Sequence, residues 1–377
     1  MSRSHDSEAR PTKRTRLSDN GLAPSTQSHS TPANSSSSPS SAVSTSNLQR
    51  HPEIWFDDGN IVLVAEKTAF RIYRGLLVAQ STVFSDMFAS STSSPHETFD
   101  GSTPSTSPQV ENKLSPTKEE PLRTFDEVSA VIRLAHKYHI PQVQHQALSF
   151  LREHHFTHSF PAFSHPLAPP GAGGAEIAIA PVHAIGAVNL ARLTDTPSML
   201  PLALYRCAYL GAGALLDGWT RADGTVERLS DADLRLCLAA RVALANERFF
   251  LVSRVLDATP SARCPKRGRC HTNLLHMLTR AMREREVVRA EEEEAEADPD
   301  SGGGVLRDWG LLIEKFRDGK ALCGSCVEEL GRRAVNERKR VWNRLPEVLG
   351  IKVEVGDWEE CSVVETNPRS LDSDSDE

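Results

Sequence analysis

Polar, low-complexity stretches constrain this chain more than any single motif, because they limit how much of it can bury a core. Residues 1–50 are rich in Ser, Thr, Pro and Asn, with a serine run from Ser35 to Ser38. Residues 89–121 repeat that composition, and Thr103-Pro104, Ser107-Pro108 and Ser115-Pro116 interrupt any regular element. Pro161 to Gly174 has linker composition, Glu291 to Gly304 joins an acidic run to three glycines, and the tail from Val363 ends in Asp-Ser-Asp-Ser-Asp-Glu. Such segments cannot offset the entropy of ordering with apolar burial. The expected organisation is a disordered tail over 1–50 and a folded unit over 51–156 interrupted by low-complexity 89–121. A linker over 157–180, a helical region over 181–257, a cysteine-containing helical module over 262–350 and an acidic tail over 351–377 follow.

Composition narrows the function classes. Hydrophobic residues make up 39% and aromatics 6%, low for an enzyme of 377 residues, as expected if much of the chain is unpacked. A net charge of -7 argues against general affinity for nucleic acid or an anionic membrane. No run of about 18 apolar residues is present, so no membrane span is expected. The start Met1-Ser-Arg-Ser-His5 lacks the apolar core of a secretion signal. Seven cysteines in that setting point to reduced thiols or metal ligands, and to the nucleus or cytoplasm.

Four segments can fold. Asp57-Asp58-Gly59 signals a turn, and Ile61–Ala65 and Ala69–Tyr73, joined by Glu66-Lys67-Thr68, read as a β-hairpin. Arg74 to Val78 forms a helical turn, and Ser81 is placed to cap a helix presenting Val83, Phe84, Met87 and Phe88. Over 122–156, Val128, Val131, Ile132, Leu134, Ala135 and Tyr138 recur at helical spacing, and Pro141 opens a second helix. Farther on, Thr196-Pro197 starts a helix with the stripe Leu200, Leu204, Cys207 and Leu210, stopped by Gly211. Ser230 and Asp233 start another, carrying Leu234, Cys237, Leu238, Arg241, Val242 and Ala245.

The block from Asp58 to Phe88 resembles the start of a BTB/POZ domain, of the kind abundant in filamentous and mushroom-forming (basidiomycete-like) fungi. The matching positions include Asp58, Gly59, Val62, Leu63, Phe70, Arg74, Leu77, Ser81, Phe84, Met87 and Phe88, with Tyr73 where the family usually has histidine. Val131 to Tyr138, with Ala147 and Leu148, resembles the closing helical pair of the same domain. The resemblance implies an α+β fold, a β-hairpin packed on a helical cluster, followed here by a mainly α-helical C-terminal region. It also implies protein partners, including a second copy, with no catalytic group. Residues 89–124 are Ser/Thr/Pro-rich where the family has a strand and a helix, so the central part of the domain reads as missing or degenerate. Cullin binding relies largely on that part and is not carried over.

Cys264, Cys270, Cys323 and Cys326 form two thiol pairs separated by 52 residues. Zinc takes four soft ligands in a tetrahedron, and two short loops supply them; one structural zinc, free structural thiols and redox chemistry are the alternatives, with His271 a substitute ligand. Cys207 and Cys237 fall on apolar stripes and read as core. The fungal BTB resemblance extends to paired cysteines followed by a helix with Trp-x2-Leu-Pro, here Trp342 to Pro346.

Arg10 to Arg16 is a short basic cluster with the character of a nuclear import signal. The helix Val327 to Arg344 carries six basic residues, read as a solvated face rather than a phosphate site. Ser/Thr-Pro pairs and the acidic context of Ser373 and Ser375 permit phosphorylation. No esterase, P-loop, dinucleotide or zinc-protease motif occurs. The sequence therefore points to a non-enzymatic interaction adaptor that dimerises through its BTB-like part. A zinc-dependent nucleic-acid-binding regulator and a thiol oxidoreductase using Cys323 are the rival readings.

Overall fold

The computed structural model describes residues 48–90, 124–165, 177, 179–283, 304–354 and 356–363. The basic cluster at Arg10–Arg16, the stretch 89–121 beyond its first two residues, the acidic run and the tail beyond residue 363 lie outside the described residues. The described parts of the expected linker (157–180) and acidic tail (351–377), in contrast, pack on the core through Phe160 and Trp358. The fold is α+β, with a small sheet near the N-terminal part and a helical remainder.

The hairpin forms as its alternating apolar residues predict: β2 (Ile61–Ala65) pairs antiparallel with β3 (Thr68–Ile72), Ala65 opposite Thr68. Its turn is Glu66-Lys67, with Glu66 at φ 54; the twist of paired strands favours such a left-handed turn residue. A further strand, β1 (Gln49–Trp55), lies parallel to β3 on its other side. It was not expected, because its first residues are polar, Pro52 interrupts it, and Ile54 and Trp55 are adjacent rather than alternating. Those are the marks of an exposed edge strand.

Helix α1 (Arg74–Gln80) and α2 (Thr82–Ser90) follow the sheet. Ser81 caps α2, its Oγ accepting from the Phe84 N–H at 3.1 Å, and its hydroxyl also donates to the Tyr138 carbonyl. Tyr138 ends α3 (Phe125–Lys137), which starts with a reciprocal cap between Thr124 and Glu127; α4 (Pro141–His154) begins on Pro141. The Phe84 ring stacks on Tyr138 at 4.7 Å. Ser81 and the Phe84–Tyr138 stack thus link the front of this unit to its closing helices.

From α3 onward one continuous core runs from Phe125 to Trp358. It takes in α5 (Phe160–Ser164), α6 (His183–Leu193), a 3-10 turn at Pro197–Met199, α7 (Leu200–Tyr209) and α8 (Ala212–Asp217). Two short strands, β4 (Trp219–Thr220) and β5 (Val226–Glu227), precede α9 (Asp231–Val255), and α10 (Arg267–Arg283), α11 (Gly310–Asp318) and α12 (Gly324–Val348) complete the order. Ala69, Phe84 and Phe88 are buried but fall outside that continuous core.

The stripe of α7 is buried as expected, and Ser230 caps α9 through the Asp233 N–H at 3.1 Å. The expected stripe of α9 divides, however. Cys237 faces the core with Ala240, Leu244 and Leu251, whereas Leu238, Val242 and Ala245 face outward. The basic face of α12 also differs from a simple solvated surface. Arg332 and Arg333 pair with Glu329, Arg340 with Glu337, and Arg344 with Glu247 and Glu347, while Arg338 bonds the Leu306 carbonyl.

The closing helices meet the helical region at Gly186. A Cβ there would lie 2.6 Å from the Trp219 ring and 2.7 Å from the Phe125 ring, both in the core. Gly186→Ala is expected to destabilise the protein by about 1–3 kcal/mol, the usual penalty for overpacking. A lowered urea midpoint at unchanged slope would register it.

Candidate functional site

The sequence singles out two constellations, and the structure places them at separate points of the fold. The first is the front face built by β1–β3, α1 and α2. Gly59 allows the chain to close on itself, since a Cβ would sit 3.0 Å from the Phe56 and Ile72 carbonyls. The Tyr73 hydroxyl donates to Asp58 at 2.5 Å, and that carboxylate raises the phenol pKa, first through the hydrogen bond. Arg74 takes its backbone bond to Asn60 Oδ1 at 2.7 Å and sends its guanidinium to the Phe88 carbonyl at 3.1 Å, over the Phe88 ring.

Asp58, Tyr73, Arg74 and Phe88 therefore tie the turn after β1 to α1 and α2. Phe84 and Phe88 are buried and Ser81 is the buried cap, while Phe70 and Leu77 are half-buried, Phe70 stacking on His51 at 5.0 Å. Met87 points outward.

What the motif reading missed is the apolar surface beside it. Helix α1 has no buried residue at all. Leu76 is 47% exposed and Met87 45%, and Val78 joins them. Across the face, Ile54, Phe56 and Val64 on or beside the strands are also exposed. Leu77 is half-buried and the helix packs on α2, whereas Leu76 and Val78 stay in water beside Met87, an apolar surface of the kind that interaction faces present. The spacing of these residues was visible in the sequence; their exposure was not, because periodicity says which residues share a face and not what covers it.

The second constellation is the cysteine cluster. The loop before α10 carries Cys264, and Cys270 lies in the first turn of that helix. Cys323 is the residue before α12, and Cys326 lies in its first turn. The four sulfurs all lie within 4.8 Å of one another, with Cys323 and Cys264 at 3.5 Å. Sulfurs held about 2.3 Å from a tetrahedral zinc are separated by about 3.8 Å, so the cluster has the dimensions of a tetrathiolate site. His271 is not part of it: its Nδ1 bonds the Ala258 carbonyl at 2.9 Å.

The loops are held independently of the sulfurs. Asn273 donates to the Ala321 carbonyl at 2.5 Å, and Arg333 bonds the carbonyls of Asp257 and Thr259 at 2.9 and 2.7 Å. Backbone groups of Cys323, Cys326 and Ser261 bond to the sulfurs of Cys270, Cys323 and Cys326 and favour their ionised forms. Burial pushes the thiols of Cys270 and Cys326 up. At Cys323 burial acts in the same sense but is outweighed by the Cys326 backbone and the neighbouring thiols, and its pKa is lowered. Around the cluster, 259–283 contains six Lys/Arg and no Asp or Glu, a sequence suited to offset a dianionic metal–thiolate centre.

Helix α11 precedes the Cys323–Cys326 pair, where a thioredoxin-like site needs a buried strand. Cys207 and Cys237 are buried between α7 and α9, as their stripes predict. No helix among the described residues is long and apolar enough to cross a membrane.

Comparison with known families agrees with the front-face geometry. The model described as BTB/POZ domain matches residues 47–155, which takes in β1 and ends in the loop after α4. No curated protein and no solved structure matches the chain. The match supports a BTB-containing protein whose general role is protein–protein interaction.

Because Cys323 alone of the cluster is both partly exposed and lowered in pKa, it is expected to alkylate first in metal-free protein. Peptide mapping after brief iodoacetamide treatment would show it modified ahead of Cys264, Cys270 and Cys326.

Proposed function

We propose that the chain is a non-enzymatic intracellular adaptor that self-associates through the front face of its BTB/POZ domain and carries one structural zinc in its helical region. The observation that carries the first part is α1, an apolar helix with no buried residue, set beside exposed Met87. Two such faces brought together would remove Leu76, Val78 and Met87 from water at about 25 cal/mol per Å² of apolar surface. The face needs no charge complementarity and can therefore serve a second copy or a related domain. A BTB/POZ domain of fungal type with its central part altered would keep this face, since it is built before residue 91.

Zinc is the cofactor best suited to the cysteine cluster. Four thiolates, backbone donors to sulfur and second-layer bonds from Asn273 and Arg333 make a closed structural site with no open position for substrate. When bound, zinc would cross-link the starts of α10 and α12. Catalysis is not required by any of this. The paired arginines of α12 also weaken the nucleic-acid reading, since phosphate would have to displace Glu329, Glu337 or Glu247.

Light scattering on the full chain tests the first part: Met87→Glu is expected to reduce the particle mass by half or more, because a carboxylate is forced into the apolar contact. An unchanged mass would remove the front face as the interface. Elemental analysis tests the second, with one zinc per chain expected in the wild type and loss of that zinc with a lowered melting temperature in Cys326→Ser. Wild-type protein purified with no metal and undiminished stability would return the cluster to free thiols.

A further inference from the structure

Helix α9 is apolar on two opposite sides. Its inner side, with Cys237, Leu244, Leu251 and Val255, packs on α7 and α12. Its outer side carries Arg235, Leu238, Val242, Ala245 and Phe249, all exposed. Val242 is 67% exposed and Phe249 56%, with Leu238 close behind. A stripe of several exposed apolar residues on one helix is more than scattered surface hydrophobics, and here it meets no cover among the described residues.

We propose that this outer side is a second self-association seam, occupied by α9 of another copy running antiparallel. The residues recur at intervals of three, four, three and four, the period that keeps one helix facing another helix over several turns. A strand, a loop or a small ligand has no use for that period. From Arg235 to Phe249 the seam is about 21 Å long at 1.5 Å per residue. No charged residue stands on it between Leu238 and Phe249, so two such seams can close without burying an ion.

Direction follows from charge and size. In a parallel pair Arg235 would stack on Arg235, a like-charge contact. In an antiparallel pair Val242 falls against Ala245 of the other copy and Leu238 against Phe249. Arg235 then lies toward Val252, where its methylenes can cover apolar surface while the guanidinium stays in water. Large side chains therefore meet small ones at the centre, and the seam is self-complementary about a two-fold axis.

One helix face covers less than the roughly 800 Å² per partner that a stable dimer buries. The seam is therefore a weak contact that acts beside a stronger one. Its consequence for assembly rests on the front-face reading given above: two different two-fold contacts on one chain build tetramers or open arrays, not dimers.

Sedimentation velocity on the full chain at rising concentration separates the two contacts. The wild type is expected to exceed twice the chain mass, Val242→Glu to stop at a dimer, and Met87→Glu to retain a weak, concentration-dependent dimer. The doubly substituted chain should run at 41.4 kDa. Mixing Val242→Glu with Ala245→Lys chains should regain the wild-type mass, since positions 242 and 245 of the two copies face each other in the antiparallel seam and opposite charges then meet there. Leu238→Glu serves as a second variant, and circular dichroism checks that each chain is folded.

Val242→Glu sedimenting like the wild type overturns the seam, and so does a mixture that stays at the Val242→Glu mass. A lowered melting temperature without a change of mass also overturns it, because a segment of the same chain would then be the cover. A wild type that is only a dimer, made monomeric by Met87→Glu, removes the seam and leaves the front face. An unaffected Met87→Glu chain beside a smaller Val242→Glu chain does the reverse.

Discussion

Trp342 is the residue around which the segment after the closing helices and the segment after α12 are assembled. Its side chain is fully buried on α12 and stacks on Trp358 at 4.2 Å. The two indoles are cross-tied: Trp342 Nε1 donates to the Glu359 carbonyl and Trp358 Nε1 to the Trp342 carbonyl, both at 3.0 Å. Phe160 and Phe163, on the short helix that follows the BTB/POZ match, close on the same ring at 5.6 and 5.2 Å. A buried indole without its partner would strand a donor as well as empty a large volume. The polypeptide after the closing helices and the polypeptide after α12 are thus fixed by one side chain.

That arrangement explains why the front face can remain apolar and open. The core holding α3, α4 and the helical remainder does not include the sheet, α1 or α2. The front hangs on Ser81, bonded to Tyr138, and on the ring contact of Phe84 with Tyr138. Its own stability comes from short-range ties such as Tyr73 to Asp58 and Arg74 to Phe88. A face that lies outside the continuous core gains stability from burial against another molecule.

Much of this was legible in the sequence, and the limits are physical. The hairpin, the Ser81 cap, Pro141 at the start of α4 and the Ser230 start of α9 are local chemistry, written within a few residues of where they act. The two cysteine pairs were visible as pairs, and their union across 52 residues follows a chemical rule about metal ligands. Strand β1 escaped because an exposed edge strand carries no apolar alternation. The β4–β5 hairpin is two residues per strand, too short for any period to register. The arginines of α12 were misjudged because the carboxylates of some lie far away in sequence, Glu247 for Arg344 being the clearest case.

Those arginines also bear on α9. Arg254 and Arg340 both reach the buried carboxylate of Glu337, and Glu247 receives Arg344 at 2.8 Å. Charges at a partly buried helix contact add little net stability, since desolvation offsets their attraction. They do penalise a slipped register, because moving α9 by one turn against α12 would take Arg254 from the buried Glu337, leaving it only Arg340 of its own helix, and would part Glu247 from Arg344. The register of α9 is therefore set from its inner side by ion pairs and by Cys237, Leu244 and Leu251. Its outer residues are held in one orientation by contacts they do not themselves make. Rigid presentation lowers the entropy cost of docking, so Leu238, Val242 and Phe249 form a surface prepared before any partner arrives.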